Sequence, residues 1–474
     1  MLKQRTHILS LVTLLFAANC MQAQTSDKKI SNAYESFSKN EKLKNGISSL
    51  TVLNGKTGET IYSSNASIGL PTASTQKVIT SITALDILGA DFTFKTTLSY
   101  AGQLDTAGVL TGDIVVTGTG DPTLGSDRYQ ATMKNSILNK WTSKIKDAGI
   151  KQITGRIIID DLFLNGNDVP GGWTWTDIGN YYGAGISGVN WGENKIGLTF
   201  RPGSVGSPAQ LLALTDSLPE RTIVNNVSTA QNGSGDNVYA YSAPYSQLIY
   251  LRGTYGKDLK KVIEISDPNP ALTLAHHLRA SLNGQGVRVD SMATTGKILA
   301  DQGISVPKNL IALNTHESPK LFQIVHWFNK KSINLYGEAL LKSIGFISGN
   351  RINSDEASKL MAKYWEQKLD IPTGELRAID GSGLSPQARV TTMAMSKIMH
   401  YAQSRPWFTE FNESLPTING MTMKSGTIGG VLGYTGYQKD KSGNTFVFTL
   451  LVNNYSGGAA AMRRQMYKVL DTLK

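Results

Sequence analysis

Three short groupings along this chain carry the residue types that acyl transfer needs: Ser74-Thr75-Gln76-Lys77, Ser332-Ile333-Asn334 and Lys424-Ser425-Gly426-Thr427. They supply a serine with a lysine one helical turn away, a second serine beside an amide, and a lysine on a predicted strand. A serine hydroxyl is a weak nucleophile and needs a base within hydrogen-bond reach. Lysine can serve once burial and a neighbouring cation, here Lys424, bring its pKa down from about 10.4. In this reading Ser74 attacks, Lys77 is the base, Ser332 relays a proton to the leaving amine and Asn334 holds a substrate amide. Lys424, with Ser425 or Thr427, anchors a carboxylate, and the backbone amides of Ser74 and Thr427 receive the oxyanion.

No one of these groupings is specific. Ser-x-x-Lys recurs at Ser26/Lys29, Ser36/Lys39, Ser143/Lys146 and Ser305/Lys308, and Ser-x-Asn at Ser63/Asn65, Ser281/Asn283, Ser348/Asn350 and Ser442/Asn444. Lys-[Ser/Thr]-Gly also occurs as Lys56-Thr57-Gly58 and Lys441-Ser442-Gly443. Taken singly, Ser74 reads as a helix cap and Lys77 as a snorkelling surface lysine. The elements around each motif have to choose.

From Gly46 to Ser64 two β-rich runs flank Asn54-Gly55-Lys56-Thr57-Gly58, which makes Lys56-Thr57-Gly58 a hairpin turn. Pro71-Thr72-Ala73 then leads into a helical pattern with Ile79, Ile82, Leu85 and Leu88 on one face, ended by Gly89. That places Ser74 in the first turn of a largely buried helix, with Lys77 on the same side. Between about Phe92 and Val306 short strand-like runs alternate with Gly, Asp, Asn and Pro, broken by a helical stretch from Pro270 to Leu282. Pro319 to Ile344 reads as strongly helical and carries Ser332 and Asn334, and helices continue to about Gln403. The chain closes with two or three strands over Lys424 to Asn454 and a helix from Ala459 to Leu473. Lys441-Ser442-Gly443 sits in the turn Asp440–Asn444, so only Lys424 presents its amine along a strand.

The 474 residues leave room for two or three domains and, at 40% hydrophobic and 18% charged, read as globular. Lys3, Arg5 and His7 ahead of the apolar run Ile8–Ala18 look like an export signal with cleavage after Ala23. The single cysteine, Cys20, lies in that segment. A lipoprotein reading there needs a small residue before it, where Asn19 stands. Cleavage after Ala23 leaves no thiol, hence no disulfide and no cysteine nucleophile. The formal charge of +11 fits a solvated basic surface or attraction to an anionic wall or membrane face. With no basic run interleaved with aromatics, nucleic acid is not expected as a partner. Of the six histidines, His7 is in the leader, and His276, His277, His316, His326 and His400 show no catalytic or metal-binding motif.

The segments LPTASTQKVIT at Ser74, SINLYGEAL at Ser332, DGSGLS at Asp380–Ser385 and MKSGTIGGVLGYTGY at Met423–Tyr437 resemble the D-alanyl-D-alanine carboxypeptidase/endopeptidase family. This is the S13 group, or low-molecular-mass class C penicillin-binding proteins, and the likeness runs from about Ile47 to the C-terminus. The 258 residues between Ser74 and Ser332 (332 less 74) leave the gap in which that family places extra domains. The resemblance implies an α/β (α+β) fold: a penicillin-binding-protein/β-lactamase-like transpeptidase domain, helices around an antiparallel sheet, with two mostly β inserted domains. The borders expected are a signal peptide at 1–23, domain I at 24–92 and 307–474, domain II at 93–165 and 245–306, and domain III at 166–244.

It further implies a serine-type carboxypeptidase or endopeptidase that removes terminal D-Ala from peptidoglycan stem peptides or cuts their cross-links through an acyl-enzyme. Such an enzyme needs no cofactor or metal, is acylated by β-lactams, and is exported to the periplasm. The family roles fall on Ser74, Lys77, Ser332, Asn334 and Lys424. Asp160, with Asp161 as its rival, matches a residue that contacts the diaminopimelate amine. Gly120-Asp121-Pro122-Thr123-Leu124 and Tyr181–Asn194 are similar to further family segments, and Gly381, Gly383 and Ser385 shape a turn or a simple loop. The competing readings are a β-lactamase or esterase on the same scaffold and a catalytically dead wall-binding protein.

Overall fold

The computed structural model describes residues 27–164, 169–346 and 353–474. The expected leader, with Cys20, lies outside them. The described residues form two compact units, one built from the stretches up to Ile82, Ala362–Ala378 and Pro386–Lys474, the other from Thr83–Met361 and Ile379–Ser385.

In the first unit a six-stranded sheet runs in the order Thr417–Ile418, Met421–Ile428, Val431–Lys439, Thr445–Asn453, Ile47–Asn54, Thr60–Ser64. Every neighbouring pair is antiparallel. The alternation of ISSLTVLN explains how its strand is covered on both faces. Leu50 and Val52 enter an apolar core with Met462, Met466 and Val469 of the C-terminal helix Ala459–Leu470. Ile30, Tyr34 and Phe37 join them from a helix over 27–38. Each such fully buried side chain stabilises by roughly 1.5–3 kcal/mol. On the opposite face Ser49 and Thr51 meet Thr392, at the start of the helix Thr392–Ala402, through hydroxyl hydrogen bonds of 2.7 and 2.8 Å. Helices thus cover both faces of an antiparallel sheet, as expected.

The second unit has a seven-stranded mixed sheet and two three-stranded sheets. The larger sheet joins the antiparallel strands Lys95–Leu104 and Val109–Gly118 to parallel neighbours that include Ile157–Asp160. Its core packs under two helices, Lys134–Asp147 and Pro270–Gly284. The first of these lies in a stretch whose sequence pattern reads as strands and loops. Ile311–Glu317, expected beyond the end of the insert at 306, pairs with Lys95–Leu104 and so completes this sheet. The two small sheets share a core from Ile196 to Ile265. Their strands Leu248–Gly256 and Ile263–Ser266 carry that layer past the border expected at 244.

Candidate active site

The segment ahead of Ser74 is tightly wound. Ala73 has φ +46° and is fully buried, and residues Ala73–Gln76 form a 3-10 turn that runs into the α-helix Lys77–Leu88. The turn is tied by Thr75 Oγ1, which donates to the Thr72 carbonyl at 2.7 Å. Ser74 therefore sits in a turn before the α-helix and not in its first α-helical turn. The left-handed φ of a non-glycine residue costs about 1 kcal/mol, and it lies next to Ser74. Lys77 is 0% exposed, and its Nζ donates to Ser74 Oγ at 3.0 Å. An amine and a hydroxyl at this distance can exchange a proton directly.

Beneath the turn runs the strand Met421–Ile428. Gly426 faces the turn so closely that a β-carbon there would stand 2.6 Å from the Thr72 carbonyl oxygen and 2.9 Å from the Ser74 amide nitrogen. Its cross-strand partner is Gly433, where a β-carbon would meet the Thr75 methyl at 3.0 Å and the Thr72 carbonyl oxygen at 3.4 Å. Two glycines side by side make the seat on which the Ser74 turn rests. Lys424, two residues before Gly426 and so on the same strand face, is 2% exposed and donates to its neighbour's carbonyl, Ser425 O, at 3.0 Å. Burial alone pushes its amine down to about 8. Thr427 is exposed, and its hydroxyl accepts from Arg463 of the C-terminal helix at 3.2 Å. Among the described residues no strand pairs with Lys424–Ile428 on the side away from Val431–Lys439, so this edge is open.

Ser332 and Asn334 belong to the second unit. The helical stretch expected there is broken at Ser332, which takes φ +57°, ψ +43° between the helices Leu321–Lys331 and Asn334–Phe346. Asn334 is 7% exposed, and its side-chain amide donates to the Tyr182 carbonyl at 2.7 Å. Gly337, one turn on, approaches Gly381 so closely that a β-carbon on Gly381 would lie 2.0 Å from the Gly337 carbonyl oxygen. The Gly381 amide donates to Glu338 at 2.8 Å. The DGSGLS loop is wound about Asp380, whose carboxylate accepts from the amides of Ser382, Gly383 and Ser385 and from the Trp173 indole. It is a built support for the start of the Asn334 helix, a role that the local sequence left undecided.

Asp160 ends the strand Ile157–Asp160, and its Oδ1 accepts from the Leu162 amide at 3.1 Å. Asp161 is 1% exposed and accepts from the Lys297 amide at 2.8 Å, and burial pushes its carboxyl up to about 6. Asp160 is the more accessible of the two. In the Gly120–Leu124 segment Asp121 accepts from the amide and hydroxyl of Thr123, a local turn. The rejected Lys-[Ser/Thr]-Gly matches are turns: Asn54 accepts from the amides of Lys56 and Thr57, and Asp440 from that of Ser442. Among the described residues no group of three or more His, Cys, Asp and Glu is gathered as a metal requires. No described helix is long and apolar enough to cross a membrane.

The family model for D-Ala-D-Ala carboxypeptidase 3 (S13) matches residues 30–473. This chain belongs to the S13 family. It is 26% identical over 448 residues to the D-alanyl-D-alanine carboxypeptidase of Actinomadura sp. strain R39, with 88% of this chain and 79% of that protein covered. It is 24% identical over 429 residues to the D-alanyl-D-alanine carboxypeptidase DacB of Haemophilus influenzae, covering 83% and 82%. The crystal structure of penicillin binding protein 4 (dacB) from Haemophilus influenzae superposes with a TM-score of 0.77 at 22% identity, over 93% of this chain and 98% of that one. The S13 chain therefore shares the fold of a penicillin-binding protein over 93% of its length.

Proposed function

We propose that this S13 protein is a serine D-Ala-D-Ala carboxypeptidase and DD-endopeptidase that acts on peptidoglycan stem peptides through an acyl-enzyme on Ser74. The observation that carries the reading is the 3.0 Å contact between the fully buried amine of Lys77 and the Ser74 hydroxyl. Lys77 takes the Ser74 proton as Oγ attacks the carbonyl of the penultimate D-Ala, and the amides of Ser74 and Thr427 receive the oxyanion. As the C–N bond breaks, the proton passes through Ser332 to the departing amine. Water then hydrolyses the ester and restores Ser74. Asn334 holds a backbone amide of the stem peptide.

The open edge at Lys424–Ile428 suits an extended peptide laid alongside as an added strand. Lys424 and Ser425 hold its terminal carboxylate. Thr427 contributes its backbone amide, since its hydroxyl is engaged by Arg463. Asp160 takes the side-chain amine of diaminopimelate. β-Lactams acylate Ser74 as substrate mimics. The basic leader and apolar run support export to the periplasm, where the charge of +9 left after loss of Lys3 and Arg5 (11 − 2) draws the protein to the anionic wall or membrane face.

Intact-mass spectrometry with a fluorescent penicillin, followed by peptide mapping, tests the reading. A lasting adduct on Ser74, absent in Ser74→Ala, is the expected result. Rapid drug turnover without adduct would make the chain a β-lactamase. Neither adduct nor turnover would make it a catalytically inactive wall-binding protein.

A further inference from the structure

The Tyr181–Asn194 segment and the Arg128–Tyr129 pair meet both helices that flank Ser332. Glu193 is 4% exposed, and its Oε1 accepts from the Tyr336 hydroxyl at 2.8 Å, on the first turn of the Asn334 helix. Tyr182, from the same segment, receives the amide of Asn334 itself. Across the carboxylate, Arg128 donates twice to Glu193, at 2.6 and 3.1 Å. The Arg128 guanidinium also lies 5.2 Å from the ring centre of Trp327, on the helix that ends at Ser332. Next to it, the Tyr129 hydroxyl donates to the Gln323 carbonyl of that helix at 2.8 Å.

The loop is built to aim Glu193. Gly192, Glu193 and Asn194 take φ values of +60°, +57° and +51° in succession, a run that two side-chain residues adopt only when their surroundings hold them. Asn194 does so by donating to Gly185 O and Asn190 Oδ1 at 2.8 Å each, while its own Oδ1 accepts from the Trp191 amide. Burial pushes the Glu193 carboxyl up, but the bonds and charge of Arg128, the charge of Lys195 and the Tyr336 hydroxyl outweigh it, so the net direction is down. The carboxylate stays charged and paired with Arg128.

We propose that the Arg128–Glu193 pair is a clamp that fixes the two helices on either side of Ser332 and so positions Ser332 and Asn334 for proton transfer and substrate binding. Glu193 and Arg128 touch no substrate; they are positioning residues. The clamp rests on the reading of Ser332 and Asn334 as reactive groups.

The test is single-turnover acylation of the full chain by a fluorescent penicillin, with stoichiometry and rate constant read separately. Stoichiometry counts intact sites, whereas the rate per site reports their geometry. Tyr336→Phe, which removes one hydroxyl, and Glu193→Gln are expected to slow acylation at least tenfold at near-unit stoichiometry. Arg128→Lys should fall in between, because an ammonium cannot reproduce the two-pronged contact. If the variants lose stoichiometry while the remaining sites react within twofold of wild type, the network is structural only and the proposal is overturned. Should Glu193→Gln not fold, Tyr336→Phe alone decides by the same criterion. Ser332→Ala and Asn334→Ala serve as references: wild-type rates in both would remove the reading on which the clamp stands, and the clamp with it. Slow references with a wild-type rate in Tyr336→Phe would sink the clamp alone.

Discussion

Gly426 and Ser74 are packed backbone to backbone: a β-carbon on Gly426 would come within 2.9 Å of the Ser74 amide nitrogen. Contacts that short are not tolerated, and the other two obstructions, the Thr72 carbonyl oxygen and the Thr75 amide nitrogen, are backbone atoms that cannot rotate aside. Gly426→Ala should therefore lift the turn off its seat, destabilise the protein by about 1–3 kcal/mol and slow penicillin acylation at least tenfold. Urea unfolding and stopped-flow acylation measure the two effects. An alanine variant that acylates at the wild-type rate would show that the seat does not hold the nucleophile in place.

Lys77→Met keeps the length of a buried side chain and removes the amine. General-base assistance is worth about 10²–10⁴-fold, so acylation should slow by that factor, with the residual adduct still mapping to Ser74. A loss smaller than tenfold would take the base role away from Lys77.

The amine of Lys424 lies at about 8 in the folded protein, against 10.5 for an ordinary lysine. Below pH 8 the folded state carries a buried charge that the unfolded chain holds in water. Between about pH 8 and 10.4 the unfolded state binds more protons, so this group makes stability rise with pH across that window. Lys424→Met should stabilise the protein at pH 7 by an amount of the order of 1–3 kcal/mol while weakening acylation by anionic penicillins. Chemical denaturation at pH 7 and pH 10 checks the sign, because the advantage of the methionine must shrink at the higher pH.

Asp161 and Asp160 separate in the opposite sense. The buried Asp161 carboxyl, raised to about 6, favours the protonated folded state, so its contribution to stability is present below about pH 3.9 and lost as pH rises through 6. Asp161→Asn should stabilise the protein above pH 6 without altering substrate choice. Asp160→Ala should cost under about 1 kcal/mol and reduce the preference for diaminopimelate-bearing peptides over lysine-bearing ones. Unchanged preference in Asp160→Ala would remove its recognition role.

Ser332 sits at φ +57°, a conformation that glycine adopts freely and serine at a cost of roughly 1 kcal/mol. Ser332→Gly should raise stability by up to about 1 kcal/mol and at the same time depress turnover. Thermal melts and peptide hydrolysis read the two effects separately, and turnover at the wild-type rate would take the relay role away from the Ser332 hydroxyl.

What can be read from the chain is local. The turns at Lys56-Thr57-Gly58 and Lys441-Ser442-Gly443 carry Asn or Asp bonded to their own backbone, and so exclude themselves. Lys424 follows an alternating run and lies on a strand. The long helix Lys134–Asp147 is hidden because its buried residues Ile137, Trp141 and Ile145 stand among lysines and asparagines that read as loop. Ile311–Glu317 falls outside the insert in a sequence reading because its partner, Lys95–Leu104, is about 200 residues away and no local pattern records that pairing. The Gly426–Gly433 seat escapes for the same reason: two glycines in a strand look like weakness until the turn that rests on them is seen. The break at Ser332 escapes too, since serine has no strong signature for a left-handed residue.

The sheet that carries Lys424 is closed by strands from opposite ends of the chain, with Leu50 paired in register with Leu450. Bringing together points 400 residues apart costs about 5 kcal/mol of chain entropy before any contact is gained. A nascent or truncated chain therefore possesses Ser74 and Lys77 but not the surface on which their turn rests. The turn at Ser74 thus depends on Gly426 and Gly433, about 350 residues further along the chain, so its seat exists only once that long-range pairing is made.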